Sequence, residues 1–243
     1  MKNFKLSKFN ALLKIEYTEE DNIWLTSGYT LRKLVGILGM ALPILLYVFL
    51  YIDSGIKAPL DSISHYYFTR VAGIFIVILG AMAIFLMVYK GKKSVDFYIS
   101  FIAGMFAMLV CLFPTTNISD ICHDVNKEYS VTILRNSGFR PIFHYISAGI
   151  FLLSLAYMSL FLFTKSDKKA IDRGPRKKLR NRIYRTCGVI MTLALLIIFL
   201  GFLKVIPTEF YEKNHLTFWM EAVAIESFGF SWLIKGNTLF KDK

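Results

Sequence analysis

The chain is short of nearly everything that marks a soluble enzyme. Only three of its 243 residues are cysteine, and Cys111, Cys122 and Cys187 form neither a CxxC pair nor a disulfide framework. There is no HExxH zinc motif, and Ser62 and Ser64 lack the G-x-S-x-G setting of an activated nucleophile. Regular alternation of apolar and polar residues is absent too, which argues against a β-barrel. The first 30 residues carry Glu16, Glu19, Glu20 and Asp21 and lack the apolar core and small-residue cleavage site of a signal peptide. The first apolar run is therefore expected to act as an uncleaved anchor.

What the chain has is long apolar runs. With 55% hydrophobic residues and a mean hydropathy of +0.50, it is too apolar for an ordinary soluble domain. A membrane span needs about 20 mostly apolar residues to cross about 30 Å of hydrocarbon. Six runs meet that need, near Leu34–Ile52, Tyr67–Tyr89, Phe97–Phe113, Ile142–Thr164, Ile183–Val205 and Leu216–Ile234. The expected fold is an all-α polytopic bundle of six transmembrane helices. Residues 1–30 form a cytoplasmic segment suited to the membrane interface, 31–236 the bundle, and 237–243 a cytoplasmic tail.

Charge sets the expected orientation. With both termini inside, the inner segments hold 22 of the 29 Lys and Arg but 8 of the 17 acidic residues, the positive-inside pattern. Topology thus accounts for the net charge of +12 without a nucleic-acid partner, and no nucleic-acid-binding motif is present. The location follows as the cell membrane, with membrane lipids as partners and a homo-oligomer open. Small residues, Gly73 and Gly80 in the second run and Ala103, Gly104 and Ala107 in the third, are read as points of close helix contact.

Ionisable residues within spans cost roughly 2.5–3.5 kcal/mol each at mid-membrane, so each is a candidate for function. Arg70 is placed one turn inside the second span, Glu221 in the outer half of the sixth and Glu226 near its middle. His65 precedes the second span and His144 opens the fourth. All five are expected at the extracytoplasmic end. Three arrangements fit: an Arg70 ion pair with Glu221 or Glu226; a polar pocket of His65, Arg70, His144, Glu221 and Glu226 that binds a head group or anion; or a zinc site of His65, His144 and Glu221, with Asp61 an alternative carboxylate. Glu221 and Glu226 lie five residues apart, about 140° around a helix, so one partner cannot easily serve both. Elsewhere, Asp120, Cys122, His123 and Asp124 read as a solvated acidic loop, Asp96 and Arg185 as a candidate pair, and Lys204 and Lys235 as snorkelling cations.

Several short segments carry a resemblance. Ser62-Ile63-Ser64-His65-Tyr66-Tyr67, Leu112-Phe113-Pro114-Thr115, Phe143-His144-Tyr145-Ile146-Ser147-Ala148-Gly149, Arg182-Ile183-Tyr184-Arg185 and Phe218-Trp219-Met220-Glu221 resemble a bacterial six-span family of unknown function, similar to DUF998. More distantly the layout is similar to the Frag1/DRAM/Sfk1 membrane proteins, linked to lipid handling and stress. The resemblance implies six helices and motif positions at His144 and Glu221, and it implies no reaction. The expected function is binding or sensing of a lipid head group or small anion at the extracytoplasmic end, without catalysis. A metal-dependent lipid hydrolase using zinc and a membrane-permeabilising effector are the alternatives.

Overall fold

The computed structural model describes residues 28–91, 93–118, 129–135, 137–166, 174–236 and 240. The expected interfacial segment, the Asp120–Asp124 cluster and most of the tail lie outside these residues. Among the described residues the chain is helical, and its one trace of β pairing is an isolated bridge between Thr69 and Ser130.

Each apolar run forms a helix. They are α1 (Gly28–Ser54), α2 (Ala72–Val88), α3 (Ser94–Leu112), α4 (Phe139–Tyr157), α5 (Pro175–Phe202) and α7 (Leu216–Lys235), with the short polar α6 (Thr208–Lys213) between the last two. Thr30 falls inside the first turn of α1 and does not cap it, because the helix already begins at Gly28. Pro175 opens α5 at a position where its missing N–H costs nothing. Helix α4 ends in a π turn, Met158–Leu162.

Four helical stretches are long and apolar enough to cross a membrane: Thr30–Ser54, Ser94–Leu112, Phe139–Leu162 and Pro175–Phe202. Helix α2 is apolar but has 17 residues, about 26 Å of helix. Helix α7 has 20 residues and carries Glu221, Glu226 and Lys235. The exterior is apolar, with Val77 69%, Leu153 57% and Phe199 55% exposed. A surface of that kind is stable against lipid and not against water. The chain is a helical membrane protein.

The helices close into a ring. Each packs on its neighbour in chain order, α1 on α2, α2 on α3, α3 on α4 and α4 on α5, while α7 lies between α5 and α1. Between α1 and α7 the backbones touch. A Cβ on Gly36 would sit 2.8 Å from the Gly229 carbonyl oxygen, and one on Gly229 2.7 Å from that of Gly36. Gly104 meets α2 in the same way, 2.5 Å from the Ala83 carbonyl. Gly73 and Gly80, expected as contact points, face open space. They sit on the outer side of α2, where no helix approaches.

Aromatic packing fills the middle of one end. Trp232 is 1% exposed, with the rings of Tyr89 at 4.9 Å, Phe163 at 5.6 Å and Phe228 at 5.8 Å. A buried Ser159–Ser231 hydrogen bond of 3.1 Å ties the π turn to α7. Since overpacking a tight contact costs about 1–3 kcal/mol and more where the backbone itself is in the way, Gly229→Val is expected to lower the thermal midpoint sharply or prevent folding. Gly80→Ala is expected to leave the midpoint unchanged or raise it, and a detergent melting curve reads both.

Candidate functional site

The bundle has two polar ends of different character. One is a cap built from the segment between α1 and α2, whose centre is a 3-10 helix at Ile63–Phe68. Ser62 stands at its N-cap position, but its hydroxyl makes no cap bond and instead lies 2.7 Å from His65 Nδ1. The first amide is therefore satisfied from across the fold: Ile63 N–H donates to Glu221 Oε2 at 2.7 Å. The neighbouring Phe218 N–H donates to the Asp61 carbonyl at 3.0 Å. His215 Nδ1 stands 3.5 Å from Asp61 Oδ1, an ion pair when the imidazole is protonated. These three contacts hold the cap on the start of α7.

Further loops close over it. Val131 N–H donates to the Phe68 carbonyl at 2.9 Å. Asn117 and Leu134 exchange two hydrogen bonds, 2.7 and 3.0 Å, which commits the Asn117 side-chain amide to the loop itself. Beneath the loops His144 is 2% exposed and its Nδ1 lies 2.7 Å from the Phe113 carbonyl. A carbonyl only accepts, so Nδ1 carries the hydrogen. His65 Nε2 reaches Thr116 Oγ1 at 3.4 Å, and His65 and His144 are close enough for their charges to interact. Thr115 Oγ1 and Ser147 Oγ are buried without a hydrogen-bond partner among the described residues.

The structure thus gathers His65, His144 and Glu221 at one end, but not the other two expected residues. Arg70 precedes α2, is 58% exposed, and pairs with Asp53 at 3.4 Å. The expected pair of Arg70 with Glu221 or Glu226 is not formed. Glu226 is half-buried on the face of α7 that carries the exposed Val223, away from the cap contacts. Among the described residues no three His, Cys, Asp or Glu side chains form a group that could hold a metal ion; both nitrogens of His65 and one oxygen of Glu221 are engaged elsewhere.

The opposite end is cationic, and the sequence reading missed it as a site. A cavity of about 180 Å³ opens there, lined by Arg32 from α1, Tyr89 and Lys90 after α2, Asp96 from α3, Lys165 after the π turn and Lys235 from α7. Four cations and one carboxylate face it. Asp96 is 6% exposed; Lys165 Nζ donates to its Oδ1 at 2.6 Å and Lys93 N–H to its Oδ2 at 3.2 Å. The expected partner Arg185 instead lies on the surface of α5. Arg32 lies 5.5 Å from the Tyr89 ring and Lys235 5.4 Å from that of Phe163. Lys235, expected to snorkel, is held over an aromatic floor, a contact that fixes the position of its charge. The available signal was that Arg32, Lys90, Lys165 and Lys235 all fall at alternate ends of successive runs, and so at one face.

Compared with family models, with curated proteins and with solved structures, the chain gives no match.

Burial holds the His65 imidazole below its usual pKa, with the Asp61 carboxylate acting weakly the other way. A histidine whose folded pKa is lowered binds fewer protons folded than unfolded, so its contribution to stability is present above the unfolded pKa and is lost as pH falls below about 6.5. The protection factors of amides in residues 60–69, taken against the intrinsic exchange rate at each pH, are expected to fall on acidification from pH 7 to pH 5, and His65→Gln is expected to flatten that dependence.

Proposed function

We propose that the protein is a six-span membrane protein of the cell membrane, with both termini in the cytoplasm, that binds a phosphate-type anion at its cytoplasmic end. The ring arrangement supports six crossings: α2 lies between α1 and α3, and α7 between α5 and α1, so two shorter or more polar helices share the depth of four apolar ones. The concentration of Lys and Arg at the cavity end supports the orientation.

One observation carries the anion reading. Four helix ends and one turn deliver Arg32, Lys90, Lys165 and Lys235 to a single small enclosure, with Asp96 as its carboxylate. A guanidinium offers a planar fork of donors to a phosphate and the ammonium groups add point charges. Concentrated in a partly enclosed volume, these charges act more strongly than on an open surface. The extracytoplasmic cap is the weaker place for an anion, because Arg70, the permanent cation expected there, is exposed and paired with Asp53. Burial also disfavours the charged form of His65.

The anion has two sources, a soluble phosphate or the phosphate of a lipid head group. Thermal melts of the purified protein separate them. Titration with inorganic phosphate to well above half-saturation is expected to raise the midpoint by about 5 °C, and Arg32→Gln/Lys235→Gln to abolish the rise. Stabilisation by short-chain phosphatidic acid and not by inorganic phosphate assigns the cavity to lipid. No stabilisation by either, or an equal rise in the double variant, contradicts the reading.

A further inference from the structure

A second feature lies on the outer face of α5. A groove of about 590 Å³ runs along it, lined at one end by Lys178, Arg182 and Arg185 and at the other by Val189 and Ile190. Their order follows from helix geometry: positions 178, 182, 185 and 189 fall on one stripe, spaced four, three and four residues apart. Three cations therefore stand in line with an apolar slot, and beyond it Leu193 and Leu196 are exposed on the same helix.

The depth of this groove in the membrane follows from length. Helix α5 has 28 residues, about 42 Å, against about 30 Å of hydrocarbon. Its first turns extend beyond the acyl chains, which puts the cations at head-group level and the slot among the chains. Nothing in the described residues neutralises the three cations: no side chain of Lys178, Arg182 or Arg185 makes an ion pair or hydrogen bond among them.

Asn181 is the independent observation. It lines the same groove and is 7% exposed, and its Oδ1 is sealed from solvent with no hydrogen-bond partner among the described residues. A buried acceptor without a donor is uncommon in native proteins. Once the Asn181 side chain turns outward into the groove it lines, a hydroxyl donor carried beside a phosphate would satisfy that oxygen.

We propose that this groove is a binding site for an anionic phospholipid with a hydroxyl-bearing head group, of the phosphatidylglycerol type. The phosphate lies between Arg182 and Arg185, with Lys178 beyond it. The head-group hydroxyl donates to Asn181 Oδ1, and one acyl chain follows Val189 and Ile190. Choline has no hydrogen to donate, and phosphatidic acid has no hydroxyl beyond its phosphate, so the site distinguishes lipids by charge and by donor. It is separate from the cavity of Arg32 and Lys235, which these α5 residues do not line.

Native mass spectrometry of the full chain in mild detergent tests this, using phosphatidylglycerol, phosphatidylcholine and phosphatidic acid with identical acyl chains. Phosphatidylglycerol is expected to bind best, and Arg182→Gln/Arg185→Gln to weaken it about tenfold or more. Asn181→Leu is expected to erase the preference for phosphatidylglycerol over phosphatidic acid while both still outcompete phosphatidylcholine. Arg32→Gln/Lys235→Gln is expected to leave the binding intact. Equal binding of phosphatidylcholine by the unaltered protein overturns the proposal, as does undiminished binding by the Arg182→Gln/Arg185→Gln variant. Loss of binding on changing Arg32 and Lys235 would move the lipid to the cavity and equally overturn it. A preference that survives Asn181→Leu removes the head-group assignment. Helical circular dichroism checks that each variant is folded.

Discussion

The ring is closed by backbone contact between its first and last helices, and the polar architecture depends on that closure. Within a bilayer no hydrophobic drive pulls one helix onto another, so association rests on close packing of small residues and on a few polar bonds. At Gly36 and Gly229 the chain gives up both side chains, and α1 and α7 approach until each carbonyl fills the space of the other's missing Cβ. That approach sets Arg32 and Lys235 near one another at one end. At the other end of α7 stand Glu221 and Phe218, which hold the cap. Widening the crossing by one methyl group would disturb both.

The two ends handle their charges differently. At the cap, ionisable groups are used up in bonds to the backbone: Glu221 takes the amide of Ile63, His144 the carbonyl of Phe113. Such bonds stabilise by about 1 kcal/mol when made and cost more when one partner is removed. They position loops and leave little capacity for a charged ligand. At the basic end Arg32 and Lys235 lie against rings and four cations line a cavity that holds one carboxylate, Asp96.

Much of the fold was legible in the sequence because helix formation in lipid follows hydrophobicity alone. The exceptions are instructive. The second apolar run begins at Tyr67, but the helix starts at Ala72. Tyr66 and Phe68 are fully buried in the cap, and an apolar residue buried by a loop cannot be told from one buried by lipid. That shift carries Arg70 out of the membrane helix, and with it the expected ion pair. The π turn at Met158–Leu162 was hidden, since its composition is that of any apolar helix. Asp96 and Lys165 are 69 residues apart, and nothing local pairs them. His144 and Glu221 stood out because buried ionisable groups are rare in spans, but the sequence could not show that their partners are backbone atoms.

With six crossings, every described Lys and Arg of the cavity and the α5 groove stands on one side of the membrane and the Glu221-bound cap on the other. Single cysteines at Lys57 and at Arg176, introduced with the native cysteines replaced, can be labelled in intact and in permeabilised cells with a membrane-impermeant maleimide. Position 57 is expected to label in intact cells and position 176 only after permeabilisation. Labelling of both from the same side would contradict the six-crossing ring, and with it the separation of a stapled cap from a cationic mouth.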